Sequence, residues 1–164
     1  MIGHDAQVTT WMEFRNQHAE LAEAGRALFY QHGVGLAFLA TTRRDGRPRL
    51  HPMCPVINER GLFAFIIPSP KQGDLRRDGI YAMHSFPCPE NEDAFSMAGT
   101  ATLVTDPAVR ATLATQFVQE RSQIAVVPPA DDDALFEFAL DSCLLTRTTG
   151  HGDPRPQHSV WRAE

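Results

Sequence analysis

Lysine is nearly missing from this chain. Fourteen of its fifteen cationic side chains are arginine, and the single lysine is Lys71. Other scarcities each argue against a class of protein. The three cysteines, Cys54, Cys88 and Cys143, are odd in number, widely spaced and without a C-x-x-C pair, which speaks against a disulfide framework. No apolar run approaches the length needed to span a bilayer, and the opening MIGHDAQVTT carries no apolar h-region, so the expectation is a cytoplasmic protein. The formal net charge of -5 opposes general nucleic-acid binding, which needs a basic surface. There is no G-x-S-x-G elbow, no cysteine with a patterned His or acid beside it, and no Walker or dinucleotide glycine loop.

What remains is ordinary globular composition. With 164 residues, 43% hydrophobic and 21% charged, the chain suits one domain, residues 1–164, with a full core. Lys71 itself stands in Ser69-Pro70-Lys71, between the apolar run LFAFII and the polar stretch QGDLRRDG. A compact ammonium, a nearby hydroxyl and a following helix start together make a plausible anion anchor. The competing reading is a surface lysine in a loop, since S-x-K triplets are common. Arg43, Arg44, Arg47 and Arg49 crowd the Asp45-Gly46 turn, while Asp131, Asp132 and Asp133 form an acidic run that reads as a solvated loop.

Periodicity organises the chain into an N-terminal helical segment (about 10–32), a barrel (about 34–148) and a tail (149–164). Thr10 is placed to cap WMEFRNQ, and Leu21, Ala24, Leu28 and Phe29 recur at helical spacing before Gly33. From Val34 the period shortens, with Val34, Leu36, Phe38 and Ala40 on one face, and Asp45-Gly46 signals a hairpin. The return strand, Arg49 to Ile57, holds Pro52 and Pro55, which a central strand does not tolerate; an edge, a bulge or a backbone facing a ligand accommodates them. LFAFII, Ile80 to Phe86, Ala94 to Thr105 and FEFALDSCLLTRT read as further strands, with a short helix in GDLRRDG and another opened by Asp106-Pro107. The fold class is therefore α+β and mainly antiparallel, about six strands (a six-stranded sheet) forming a small barrel or a strongly curved sheet, with flanking helices.

Several ordered segments resemble one family. GLAFLATTRRDGRPRLHPMCPV, LFAFIIPSPKQGDLRRDG, YAMHSFPCPENEDAFSMAGTATLVTDP and LLTRTTGHGDPRPQHSVWRA are similar to the FMN-binding split-barrel, or pyridoxamine 5'-phosphate oxidase-like, proteins over roughly residues 20 to 162. The resemblance implies a homodimer with FMN in the groove between two barrels, and a flavin-dependent oxidoreductase. It also implies that Ser69 and Lys71 hold the FMN phosphate, and that Arg49, His51, Pro52 and Met53 line the ribityl chain and ring. Two departures qualify it. His51 stands where the oxidases proper commonly have Arg, and no R-L-H-D-R-like stretch grips a substrate phosphate, which argues against activity on pyridoxamine phosphate. Open alternatives are the deazaflavin F420, a non-catalytic flavin or haem-binding protein, and a degenerate barrel serving as a dimer module. No catalytic side chain is assigned, because the cofactor would carry the chemistry.

Zinc fits the sequence poorly. His51 and Cys54 fall on opposite faces of a strand, and His84 and Cys88 are about 13 Å apart if extended. Cys54 reads as a small buried apolar residue and Trp161 as a packing latch.

Overall fold

The computed structural model describes residues 8–164. Most of the polar N-terminal stretch, MIGHDAQ, lies outside the described residues. Four helices and eight strands follow in the order α1 (Trp11–Gln17), α2 (Ala19–Phe29), β1 (Ala37–Thr42), β2 (Pro48–Met53), β3 (Val56–Ile57), β4 (Leu62–Ile66), α3 (Pro70–Arg77), β5 (Ile80–Ser85), β6 (Ala94–Leu103), α4 (Pro107–Gln119), β7 (Ala134–Arg147) and β8 (Gln157–Arg162). All pairings are antiparallel, in the order β2-β1-β5-β6-β7-β4-β3, with β8 also on β7. The two ends of that order, β2 and β3, are consecutive in the chain, joined only by Cys54-Pro55. The sheet therefore curls round on itself, and the seam falls at this dipeptide.

Local chemistry explains the elements. Thr10 caps α1 in a reciprocal capping box: its Oγ1 accepts from the Glu13 N–H at 3.2 Å and Glu13 Oε2 accepts from the Thr10 N–H at 2.8 Å. Asp106 caps α4 by accepting from the Ala108 N–H at 2.8 Å, with Pro107 at the first helical position. Gly46 has φ +82° in the β1–β2 turn, a conformation that favours glycine. The core gathers Trp11, Phe14 and Phe29 from the helices around Phe95 of β6, with the Phe29 and Phe95 rings edge-on at 5.5 Å.

Two differences from the sequence reading have physical causes, and the structure adds which face of β1 is the inner one. The strand expected from Arg49 to Ile57 is broken into β2 and β3, because Pro55 removes a ladder donor; Pro52 is tolerated since β2 pairs only with β1 and is an edge. The tail forms β8, which adds a strand on β7 and brings the total to eight rather than six. In β1 the core-facing residues are Ala37, Leu39 and Thr41, whereas Phe38 and Ala40 face outward. Periodicity fixes which residues share a face, but here both faces are apolar and pattern alone does not say which is the inside.

That outward face is unusual. Strand register aligns Phe38, His84, Ser96, Leu144 and Val160 in one row and Ala40, Ala82, Ala98 and Ser142 in the next. Three large apolar side chains on it, Leu50, Ile80 and Val160, are 64%, 55% and 62% exposed.

Candidate functional site

At the seam of the barrel, the free edge of β2 and the start of α3 carry the residues singled out in sequence. Arg49, His51 and Met53 alternate on one face of β2, paired in register with Thr41, Leu39 and Ala37 of β1. Met53 is buried in the core, whereas His51 is exposed and Arg49 half-buried. Pro52 points to the other face and is exposed. Ser69 is the N-cap of α3, and Lys71 lies inside the first turn, because the helix begins at Pro70 rather than at Gly73 as the sequence suggested. Proline at the first position is pre-set for helix, which explains the earlier start. The first turn leaves the Lys71 and Gln72 amides without intrahelical acceptors. Ser69 does not cap with its side chain; its hydroxyl donates to the Ile67 carbonyl at 2.8 Å, leaving its oxygen lone pairs free.

The electrostatics bind these elements into one site. Partial burial, and then the positive charges of Lys71, Arg49 and Arg43, hold His51 below the usual histidine range. The shift favours the neutral imidazole. Lys71, Arg43 and Arg44 make no salt bridge among the described residues.

Sequence reading missed the residue that organises the cluster. Asp74, 5% exposed, accepts from Thr41 Oγ1 at 2.9 Å, from Arg49 Nε at 2.9 Å and from Arg77 Nη1 at 3.2 Å. Burial alone would raise its pKa, but hydrogen bonds from Arg49, Thr41 and Arg77 outweigh it, and the carboxyl sits below the usual range. Asp74 lies mid-helix, and its partners rather than the dipole hold its charge. Arg77 reaches on to the Thr42 carbonyl and to Asp78, so β1, β2 and α3 are tied through one carboxylate. A useful signal was available: an Asp in an otherwise basic stretch with Arg three residues on.

Only Nε of Arg49 is engaged, and its two terminal nitrogens have no hydrogen bond among the described residues. They border a cleft of about 410 Å³ lined by Arg43, Arg44, Asp45, Arg49, Pro70, Gly73, Asp74 and Arg77. Four guanidinium groups face two carboxylates there. This donor set suits a phosphate, since a buried anion requires paired cations and several donors; Ser69, Lys71 and His51 are not among the lining residues.

Other candidates are placed elsewhere. Trp161 packs on Phe14 with ring centroids 4.8 Å apart, in keeping with a packing role. Burial pushes the Cys143 thiol up to about 12, while Cys54 is half-buried at the seam. Among the described residues no three His, Cys, Asp or Glu side chains converge as metal ligands. No described helix is long and apolar enough to cross a membrane.

No family model matches the chain, and no curated protein matches it in sequence. Solved structures do match the fold. A Clostridium acetobutylicum protein related to general stress protein 26, of the pyridoxinephosphate oxidase family, superposes with TM-score 0.57 over 92% of this chain and 95% of its own, at 14% identity. The fold is the split barrel. HutZ, the heme storage protein of Vibrio cholerae, shares this split barrel with TM-score 0.55 over 89% of this chain and 94% of its own, at 16% identity. A heme binding protein from Mycobacterium smegmatis gives TM-score 0.61 at 14% identity over 84% of this chain; the match spans only 57% of that longer protein. Split barrels thus host more than one ligand chemistry, and function has to be argued from the site.

Proposed function

We propose that this protein is an FMN-binding oxidoreductase whose cofactor phosphate is held at the β2–α3 seam by Lys71, Ser69 and Arg49. The observation that carries the reading is the convergence of Lys71, Arg49 and Arg43 around a neutral His51, beside helix amides with no other acceptor. Lys71 and the Arg49 terminal nitrogens would neutralise the phosphate; His51 would donate a hydrogen bond without adding charge. Asp74 orients Arg49 through Nε and keeps its fork turned toward the cleft. The edge backbone at Pro52 and Met53, with no strand on its outer side, would face the ring. When bound, the flavin supplies hydride or electron transfer, so the chain needs no acid or base of its own.

The proposed protein is a homodimer. The outward sheet face, with Leu50, Ile80 and Val160 exposed among alanines and serines, offers an apolar surface of the kind that a second copy covers. The arginine excess at Arg43 and Arg44 would also suit F420 in place of FMN, a choice that parallel titrations decide.

A second reading is haem binding without flavin. It rests on the two structural neighbours described as heme proteins. One experiment separates the readings. The purified protein is titrated with FMN, F420 and haemin, then desalted; the flavin reading expects retained yellow absorbance near 450 nm, and a retained Soret band with no flavin uptake overturns it.

A further inference from the structure

The two ends of the sheet are finished differently. β2 has no strand on its outer side, whereas the outer edge of β3 is sealed by side chains. In an antiparallel pair the N–H and C=O of one residue point the same way. Ile57 of β3, in register with Leu62 of β4, turns both groups outward: its N–H donates to the Tyr30 hydroxyl at 3.0 Å, and its carbonyl accepts from Gln116 Nε2 at 3.1 Å. Side chains from α4 and from the end of α2 thus stand where a neighbouring strand would.

A carboxylate backs that hydroxyl. Tyr30, the C-cap of α2, donates to Glu120, the C-cap of α4, whose two oxygens lie 3.2 and 3.1 Å away, and Gln116 Nε2 also donates to Glu120 Oε1 at 2.7 Å. Burial pushes the Tyr30 pKa up to about 12, so the hydroxyl keeps its proton and remains a donor. Arg26, one turn earlier in α2, covers the ring with its guanidinium carbon 4.8 Å from the centroid. Pro55 is gripped as well. The Tyr30 oxygen lies 3.5 Å from the Pro55 carbonyl, and Gly35 packs so closely that a Cβ there would lie 2.0 Å from the same oxygen. Arg121, 3% exposed, holds the Gly35 carbonyl through Nη2 at 3.4 Å.

The clamped segment adjoins the cofactor wall. Cys54-Pro55 directly follows Pro52 and Met53, the backbone given above to the flavin ring. Ile57 is 3% exposed, so without the Tyr30 hydroxyl its N–H would be left buried and unpaired, and the seam would have to shift to satisfy it. Lys71 and Ser69 lie on a different element, at the start of α3, and none of the hydrogen bonds of this clamp reaches them.

We infer that Tyr30, backed by Glu120, is a positioning residue for the cofactor ring, sealing β3 and fixing the Cys54-Pro55 link so that the β2 edge stays open and in place; this rests on the flavin reading. Riboflavin, FMN and inorganic phosphate are titrated into the full chain and into Tyr30→Phe and Lys71→Ala. Tyr30→Phe should weaken riboflavin and FMN by the same factor, about tenfold, as one orphaned buried donor implies, while phosphate affinity stays within about twofold. Lys71→Ala should do the reverse, weakening phosphate and FMN and leaving riboflavin within about twofold. The visible circular dichroism of bound FMN should also change in Tyr30→Phe, a signature of ring placement that loss of stability alone does not produce. Glu120→Ala keeps the hydroxyl and removes its backing, so riboflavin should weaken about threefold. It takes the place of Tyr30→Phe if far-ultraviolet dichroism shows that variant unfolded. Flavin binding by the wild type with unchanged riboflavin affinity and unchanged flavin dichroism in the folded variant, or with an equal loss of phosphate, overturns the inference and leaves the flavin reading standing. No flavin binding by the wild type overturns both.

Discussion

Replacing Asp74 with asparagine keeps the shape of the side chain and removes the charge on which three groups converge. The carboxylate is 7% exposed, and its partners Arg49 and Arg77 are 20% and 27% exposed, so water screens the pairs only partly. An amide still accepts from one donor but presents its NH₂ group to another, and at least one guanidinium loses its counter-charge. Charge-assisted hydrogen bonds contribute about 1.5–3 kcal/mol each, and partial solvation of the arginines limits the loss, so Asp74→Asn should cost about 2–3 kcal/mol. For a chain of this size that corresponds to a fall in Tm of about 5–10 °C. The pH dependence gives a second readout. The folded pKa of Asp74 is lowered, so its stabilisation is fully present above the unfolded value near 4 and is lost as pH falls through the folded value. Urea unfolding should therefore show a constant gap between wild type and variant from pH 5 to 8, closing only in stronger acid. A gap below about 0.5 kcal/mol at pH 7 would refute the hub, because loss of a buried ion pair cannot be that small.

Other consequences can be checked separately. In an NMR titration, Lys71→Ala should raise the His51 pKa toward the usual histidine range, since one of the cations that depresses it is gone; no change would mean that Lys71 points away from the site. Because that pKa is lowered, protonating His51 opposes the folded form in the free protein but assists an anion, so phosphate binding should tighten as pH falls toward 6, read by isothermal calorimetry. Gly99→Ala should cost about 2 kcal/mol or more in thermal unfolding, because a Cβ there would lie 2.1 Å from the Ala139 carbonyl oxygen across the β6–β7 pair. Ile80→Asp or Val160→Asp on the outward face should shift sedimentation from dimer to monomer; a wild type that is already monomeric removes the proposed interface.

Much of the fold was legible because local signals were strong. Thr10 with Glu13, Asp106 with Pro107, and Asp45-Gly46 each act through a few neighbouring residues, and all stand where the sequence put them. The bulge at Ala98/Gly99 likewise follows from a glycine inside an apolar strand. Long-range pairing was less accessible. That Gln157–Arg162 returns to pair with β7 depends on partners ten to twenty residues away. The site divides the same way. Lys71, Ser69, Arg49 and His51 stood out by composition and by resemblance, whereas Asp74 gains its role only when α3 packs against β1 and β2.

The central claim is that the β2–α3 seam holds a flavin phosphate, and fluorescence titration of FMN into wild type, Lys71→Ala and Lys71→Arg tests it most directly. The account predicts saturable quenching with one FMN per chain, affinity lower by about 10–100-fold in the alanine variant, and a smaller loss in the arginine variant. Full FMN affinity in Lys71→Ala, or no FMN binding by the wild-type protein, would contradict it.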